Sequence, residues 1–145
     1  MMMPWVAMAG VARTNTVLVG LLIGAANVAL MWRMLALLAE RGVGAVSARV
    51  RGWLTVLFAL GSVHWYMAVE GSVWYLGQNS ALLFALLAAC AVLARAPAWR
   101  VGLWLAIAMW GRPNLILIWP VLAGVALMDR RRADESPDWV ALRSR

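Results

Sequence analysis

The sequence is poor in residues that build disulfides and metal centres. It has one cysteine, Cys90, and one histidine, His64, and all thirteen basic residues are arginine. A single cysteine permits no intrachain disulfide and no metal cluster, so we expect Cys90 to be a small buried side chain. A single histidine supplies no second imidazole, which argues against a zinc site.

The sequence also lacks the short motifs of common enzymes and nucleic-acid-binding modules. It contains no nucleophile elbow, P-loop, dinucleotide fingerprint, zinc finger or RNA-binding signature. It also lacks the matching broken helices of many secondary transporters. Acidic residues are few, six in all, and the net charge is +7. Because the arginines lie between apolar segments and at the C-terminus, anionic lipid headgroups are better partners than nucleic acid.

Apolar residues make up 65% of the chain, against about 45–50% in soluble domains. The sequence therefore predicts an all-α integral membrane protein with about five transmembrane or half-spanning helices. The first apolar run is too long for a signal peptide, so we expect it to be retained. The predicted order is an N-terminal segment (1–15), a helical membrane domain (16–128) and a polar cytoplasmic tail (129–145). The predicted spans are 16–38, 53–69, 80–94, 101–111 and 115–128.

Arginine is unevenly distributed over the connections between these spans. Loops 39–52 and 95–100 and the tail after Met128 carry it, whereas loop 70–79 has none. Because cytoplasmic flanks carry excess arginine, five spans give a consistent alternation, with the N-terminus outside and the C-terminus inside.

The last two spans are alternatively one helix kinked at residues 111–114. A single helix would bury Arg112 near mid-membrane, at a cost of at least ~2.5 kcal/mol. Pro113 pushes the residue before it out of the α region. The sequence therefore favours a hairpin of two short or tilted helices that breaks at Arg112.

The hairpin brings the turn at residues 111–114 to the same outer face as loop 70–79, so that Glu70 and Arg112 can meet there. Glu70 is either an acid at a helix end or a carboxylate lining an outer cavity, as a general base or a partner for sugar hydroxyls. Arg112 either binds a phosphate bidentately, or caps a helix end or pairs with Glu70.

The remaining candidate binding residues each have two interpretations. Trp74 and Tyr75 fit an interfacial aromatic belt or a stacking platform for a sugar ring or polyprenyl chain. Gln78 and Asn79 either cap the third span or bind a hydroxyl-rich substrate. His64 lies on a stripe with Gly61, Ala68 and Gly71 that predicts helix packing, with an interhelical hydrogen bond favoured over proton transfer.

Two stretches resemble the multi-spanning glycosyltransferases of the GT-C superfamily. They are "GSVHWYMAVEGSVWYLGQNSALLFALLAA" and "RVGLWLAIAMWGRPNLILIWPVLAG", within residues 58–128. Such enzymes often show a short outer loop with an aromatic residue and Gln or His before a Leu/Ala-rich helix, and later an Arg/Lys-Pro turn before an apolar helix with Pro. The residues that carry the match are Trp74, Gly77, Gln78, Arg112, Pro113, Trp119 and Pro120.

The resemblance implies transfer of a sugar from a polyprenyl-phosphate carrier on the outer face, with Arg112 helping to hold phosphate and Glu70 the available acid. The first outer loop, which usually carries the catalytic acid of these enzymes, has no counterpart before the first span. We therefore expect an internal or C-terminal piece of such an enzyme, in a prokaryotic plasma membrane. The alternative is a small non-catalytic membrane scaffold or subunit that packs through Gly/Ala helix faces.

The expected partners are membrane lipids, a lipid-linked sugar donor and other membrane helices, and not nucleic acid. No cofactor is predicted, no residues are assigned to a metal, and a role for a divalent metal is left open. A transport role ranks third, with Arg112 and His64 lining the pathway.

Overall fold

The computed structural model describes residues 15–43 and 47–134, and this part of the chain forms a helical bundle without strands. The predicted N-terminal segment before Asn15 and the tail after Asp134 lie outside the described residues. The helices are α1 (Thr16–Glu40), α2 (Ala48–Leu60), α3 (His64–Val69), α4 (Val73–Leu93), α5 (Ala98–Gly111), a 3₁₀ helix (Pro113–Ile118) and α6 (Trp119–Asp134).

Helix α4 lies at the centre of the bundle and packs most extensively against α5 and α1. The kinked α2–α3 segment runs back along α1, because Arg51 lies over Trp32 and Ala68 lies beside Gly20. Direction reverses again at α4, at α5 and at the 3₁₀–α6 segment, so the helix ends gather at two places. At one, here called the Arg112 end, the α3–α4 turn at Gly71 lies beside Thr16 and Val17. At the other, the Arg41 end, Arg41 contacts the last turn of α4 and a side chain of α6.

The contact between α1 and α3 depends on glycine. A Cβ atom added at Gly20 would lie 2.8 Å from the carbonyl oxygen of Ala68, and one added at Gly24 would lie 2.7 Å from the Ala68 Cβ. Small residues four positions apart let helix backbones approach closely. Gly20 and Gly24 therefore allow the close approach of α1 to α3.

The second predicted span, 53–69, is not one continuous helix. The chain breaks at Gly61–Val63, between α2 and α3. Gly61 and Ser62 form a Gly/Ser pair of the kind that kinks helices. The Ser62 hydroxyl donates to the Phe58 carbonyl at 2.6 Å and accepts from the His64 amide at 3.2 Å. These bonds satisfy backbone groups that the break would otherwise leave unpaired.

The predicted loop 70–79 is mostly helix, which corrects the boundary of the third span. Helix α4 begins at Val73, after the N-cap Ser72, and only residues 70–72 are non-helical. The aromatic and amide residues that interrupt the apolar pattern are compatible with helical backbone. Gln78 and Asn79 therefore do not cap this helix. Helix α6 likewise continues beyond Met128 to Asp134.

The break predicted at Arg112 is confirmed. Helix α5 ends at Gly111, and Arg112 has the extended backbone conformation φ −149°, ψ 100°. The Pro113 ring excludes the α region for Arg112, and the chain then enters the 3₁₀ helix. The predicted hairpin is therefore α5 followed by the 3₁₀ helix and α6.

The Arg41 end is held by one guanidinium group. Arg41 donates from Nε to the Leu93 carbonyl at 2.8 Å and from Nη2 to the Val92 carbonyl at 3.0 Å. Its two terminal nitrogens also engage Asp129, at 3.0 Å and 2.8 Å. A cation at a helix C-terminus satisfies the last carbonyls and complements the helix dipole. Arg41 thus joins the ends of α1, α4 and α6.

Helices α1 and α4 end at this place with the same Schellman motif, in which the two amides after the cap bond back into the last turn. The left-handed residue is Gly42 after α1, with φ 71°, and Arg95 after α4, with φ 56°. Glycine adopts this conformation without penalty, whereas arginine does not.

The surface of the bundle carries many large apolar side chains, unlike that of a typical water-soluble fold. The most buried side chains are small or polar, among them Asn27, Asn79 and Ala108, each with 0% exposure. Large aliphatic and tryptophan side chains, such as Trp110 at 89% exposure, lie on the surface. Helices α1 and α4 are each long and apolar enough to cross a membrane. Cys90 is buried against the Leu30 carbonyl, as predicted.

Candidate functional site

Three predicted binding residues meet at the Arg112 end, where α4 faces the α5 terminus. The Arg112 guanidinium lies over the Trp74 ring, with Cζ 4.9 Å from the ring centroid. In the amide orientation that satisfies its neighbours, the Gln78 oxygen accepts from Trp74 Nε1 at 2.7 Å and from the Arg112 guanidinium. Trp74 and Gln78 are four residues apart on one face of α4, so both point at Arg112.

These side chains border an open cavity of about 670 Å³. Its lining is Val73, Trp74, Gly77, Gln78, Gly111, Arg112, Pro113 and Asn114. Gly111 allows the close approach of α5 to α4, since a Cβ added there would lie 3.3 Å from the Gly77 carbonyl oxygen and 3.1 Å from the Ala81 Cβ. Asn114, which sequence reasoning did not single out, adds a carboxamide. Its position directly after the Arg-Pro break is the signal that points to it.

Arg112 has a donor capacity that its neighbours only partly use. A guanidinium has five N–H donors, and its partners among the described residues are one amide oxygen and one aromatic face. No carboxylate of the described chain lies within 4 Å of it, in contrast to Arg41, which pairs with Asp129. The Arg112 guanidinium therefore presents unneutralised positive charge to the cavity, which suits an oxyanion such as phosphate.

Glu70 does not belong to this cluster. It is the residue that ends α3, its side chain is exposed, and it is absent from the cavity lining. The predicted pairing of Glu70 with Arg112 is not formed. Glu70 is at the same end of the bundle but on a separate turn, so nothing in the geometry of the cavity gives it a catalytic position.

Asn79 faces a different side of α4 from its neighbour Gln78. Successive helix residues are about 100° apart, and Asn79 is buried against α1. The Asn27 side-chain amide donates to the Asn79 side-chain oxygen at 2.9 Å and to its carbonyl at 3.0 Å. The Asn79 amide in turn lies 3.4 Å from the Gly20 carbonyl. Asn79 is therefore a helix-packing residue, and Asn27 is its partner.

His64 and Tyr75 also lie outside the cavity. His64 is 3% exposed on the face of α3 that packs against Gly24, and its ring packs on Phe58 in a tilted arrangement, with centroids 4.6 Å apart. Its Nε2 atom has no hydrogen-bond partner in the described chain, so this nitrogen makes no bond to a neighbouring helix. Tyr75 packs edge-to-face against Tyr66, with centroids 5.3 Å apart.

The described residues contain no group of three or more His, Cys, Asp or Glu side chains able to hold a metal ion. Comparison of the chain with family models, curated proteins and solved structures finds no match in any of the three. The chemistry of the site therefore rests on the Trp74–Gln78–Arg112 cluster itself.

Proposed function

We propose that the chain is an integral membrane protein with the Arg112 end at the outer face and the Arg41 end at the cytoplasmic face. The apolar surface supports insertion, because large exposed apolar side chains are stable against lipid and costly against water. The arginine bias supports the orientation. Among the described residues, Arg41, Arg49, Arg95 and Arg100 lie toward the Arg41 end, and Arg112 lies at the other.

We further propose that it is a piece of a GT-C-like glycosyltransferase, whose outer cavity binds the phosphate of a lipid-linked sugar donor. The observation that carries this proposal is the unneutralised Arg112 guanidinium, held by Trp74 and Gln78 in an open cavity. A planar guanidinium binds two phosphate oxygens at once, and an indole beside it offers a stacking face for a sugar or an isoprene unit. The catalytic acid is assigned to no residue, because Glu70 is outside the cavity.

Ligand binding in detergent tests the phosphate site. Farnesyl phosphate and farnesol differ only in the phosphate, so their affinity ratio isolates the contact with Arg112. We expect the wild-type chain to prefer farnesyl phosphate by about 10–100-fold, the value of a charge-assisted hydrogen bond. Arg112→Gln should abolish this preference and leave farnesol binding unchanged.

Arg100→Gln is the matched control, because Arg100 also lies over a tryptophan, Trp99, with Cζ 5.3 Å from the ring centroid. It should keep the preference. Equal binding of the two ligands by the wild-type chain would refute the phosphate site. Binding that survives in Arg112→Gln but is lost in Arg100→Gln would move the site to the other end of the bundle.

Cysteine labelling tests the orientation. In a Cys90→Ala background, Ser72→Cys should react with a membrane-impermeant maleimide added outside intact cells, and Ser136→Cys only after lysis. Reaction of both from outside would overturn the five-span topology.

The scaffold alternative has less support. The small-residue face of α1 that would have received a partner helix is covered by α3 of the same chain, at Gly20 and Gly24. A scaffold role also does not explain the unneutralised Arg112 guanidinium in the outer cavity.

A further inference from the structure

A second cavity lies at the opposite end of the bundle, between α5 and α6. It is an open groove of about 550 Å³. Its lining is Val92, Arg95, Ala96, Pro97, Ala98, Val101, Gly102, Leu105, Trp119, Leu122, Ala123, Ala126 and Asp129. Its floor is formed by Val92, Leu105 and Leu122, which belong to one buried apolar cluster. The groove is thus a slot with an apolar floor and charged residues at one end.

Small residues line both walls of the slot, so the side chains leave free space for a chain-like ligand. Ala98 and Gly102 of α5 face Ala123 and Ala126 of α6. A Cβ atom added at Gly102 would meet no atom within 4 Å. The free space therefore begins directly at the α5 backbone, and a side chain placed there would fill it.

The charge at the mouth of the slot is positive. Asp129 lies there with 17% of its side chain exposed, but both its oxygens are engaged by Arg41. Arg95 lies 4.0 Å from the same carboxylate and is 73% exposed. Because one arginine already neutralises Asp129, the exposed Arg95 guanidinium remains available to an anion outside the bundle.

Arg95 also occupies a backbone position where arginine is unfavourable. Its φ of 56° is left-handed, in the same motif that α1 completes with Gly42. A side chain in this conformation costs roughly 1–2 kcal/mol. Glycine at this position would avoid the cost. The presence of arginine despite the cost is consistent with a role for its positive charge at the mouth of the slot.

We infer that the α5–α6 groove binds one anionic phospholipid of the cytoplasmic leaflet, with an acyl chain along the slot and the phosphate on Arg95. This inference rests on the membrane insertion proposed above and concerns the end of the bundle opposite the donor cavity. An apolar slot that opens sideways next to an exposed cation matches the two parts of such a lipid. A partner helix would cover the slot without using the charge.

Native mass spectrometry of the purified chain, titrated with phosphatidylglycerol and with phosphatidylcholine, tests the site. We expect one phosphatidylglycerol molecule to be retained preferentially, by about fivefold, the contribution of one arginine near a membrane surface. Arg95→Gln should remove this preference. Arg49→Gln, which removes an exposed arginine of α2 outside the groove, should preserve it.

A second pair of variants tests the slot. Gly102→Leu fills the groove and should lower retention of phosphatidylglycerol by about tenfold or more, because several methylene groups lose their burial. Gly52→Leu is the matched control, since a Cβ at Gly52 also meets nothing within 4 Å but lies on α2. It should bind lipid as the wild-type chain does.

Three results would overturn the inference. The first is equal retention of the two lipids by the wild-type chain, and the second is undiminished retention of phosphatidylglycerol in Gly102→Leu. The third is a wild-type dimer that Gly102→Leu, and no other variant, dissociates, because a second copy of the chain would then occupy the groove. Extraction with alkaline carbonate separates these outcomes from failed insertion. A chain that stays in the membrane pellet but shows no lipid preference refutes the groove site alone.

Discussion

Two arginines end helices at opposite ends of this bundle, and their surroundings differ. Arg41 is the C-cap of α1 and is engaged by Asp129 and by two carbonyls of α4. Arg112 is the C-cap of α5 and has one amide oxygen and one indole face as partners. The same side chain at the same helix position is thus saturated at one end and left with unused donors at the other.

This difference separates structural arginines from ligand-binding ones. A guanidinium whose donors are all engaged within the chain contributes to stability and has nothing to offer a ligand. A guanidinium fixed by stacking and by one hydrogen bond has lost its mobility but retains its charge, so it is preorganised for an anion. The predictions below test whether stability follows the first arginine and anion binding the second.

The largest expected effect is at the saturated end. Arg41→Ala leaves the mostly buried Asp129 carboxylate without its close partner and exposes the last carbonyls of α4. We expect the free energy of unfolding to fall by about 3 kcal/mol. Unfolding by SDS titration in mixed micelles measures it, with Arg49→Ala as the exposed control. A smaller loss of unfolding free energy in Arg41→Ala than in Arg112→Ala would contradict the assignment of Arg41 as the structural arginine.

The adjacent residues Asn79 and Gln78 give the next effect. Asn79→Leu leaves Asn27 unpaired inside the bundle and should lower the free energy of unfolding by about 1–2 kcal/mol, with farnesyl phosphate binding retained. Gln78→Leu should give the opposite result, weaker binding with little change in stability. The same SDS titration and the farnesyl phosphate assay distinguish the two. Parallel losses in both variants would mean that stability and binding are not separable here.

Smaller effects are expected at the two Schellman motifs of the Arg41 end. Gly42→Ala forces a Cβ into the left-handed region and should cost about 1 kcal/mol. Arg95→Gly relieves the same left-handed strain, but glycine also gives the unfolded chain more conformational entropy, which offsets part of the gain. We therefore expect Arg95→Gly to stabilise the protein by about 0.5 kcal/mol. Thermal unfolding followed by circular dichroism checks the two signs. A loss of stability in Arg95→Gly would show that its side chain contributes through Asp129.

A similarly small change in stability is expected for Arg112→Ala. Its contact with Trp74 is exposed, so the variant should lose no more than about 0.5–1 kcal/mol. The measurement is the same SDS titration, compared directly with Arg41→Ala. A loss as large as that of Arg41→Ala would make Arg112 a structural residue and remove the main support for the phosphate site.

The helix order and the break at Arg112 follow from the sequence because each has a local cause. Apolar runs separated by arginine predict alternating helices, and the ring of Pro113 excludes helical backbone at Arg112. The break at Ser62 was missed because the apolar run continues through it, although the Gly-Ser pair carries the signal. The polar residues at 70–79 predict a loop and put the start of α4 at Ser80, whereas the helix begins at Val73.

The composition of the site was harder to predict because it depends on helical phase. Gln78 and Asn79 are adjacent in sequence, yet one lines the cavity and the other packs against Asn27. Until the start of the helix at Val73 is known, the two residues cannot be assigned to different faces. Arg41 and Asp129 are 88 positions apart in the sequence, so no local sequence pattern predicts that they pair.

The hydrogen bond between Asn27 and Asn79 has a consequence for biosynthesis. The two residues are 52 positions apart, so a ribosome adding about 5–20 residues per second makes the donor roughly 3–10 s before its acceptor. During that interval α1 would carry an unsatisfied carboxamide among lipids or translocation machinery. We expect nascent chains stalled before Val73 to be cross-linked from position 27 to polar groups of other proteins. Chains long enough to include Asn79 should escape, which makes the arrival of α4 a timing step in assembly.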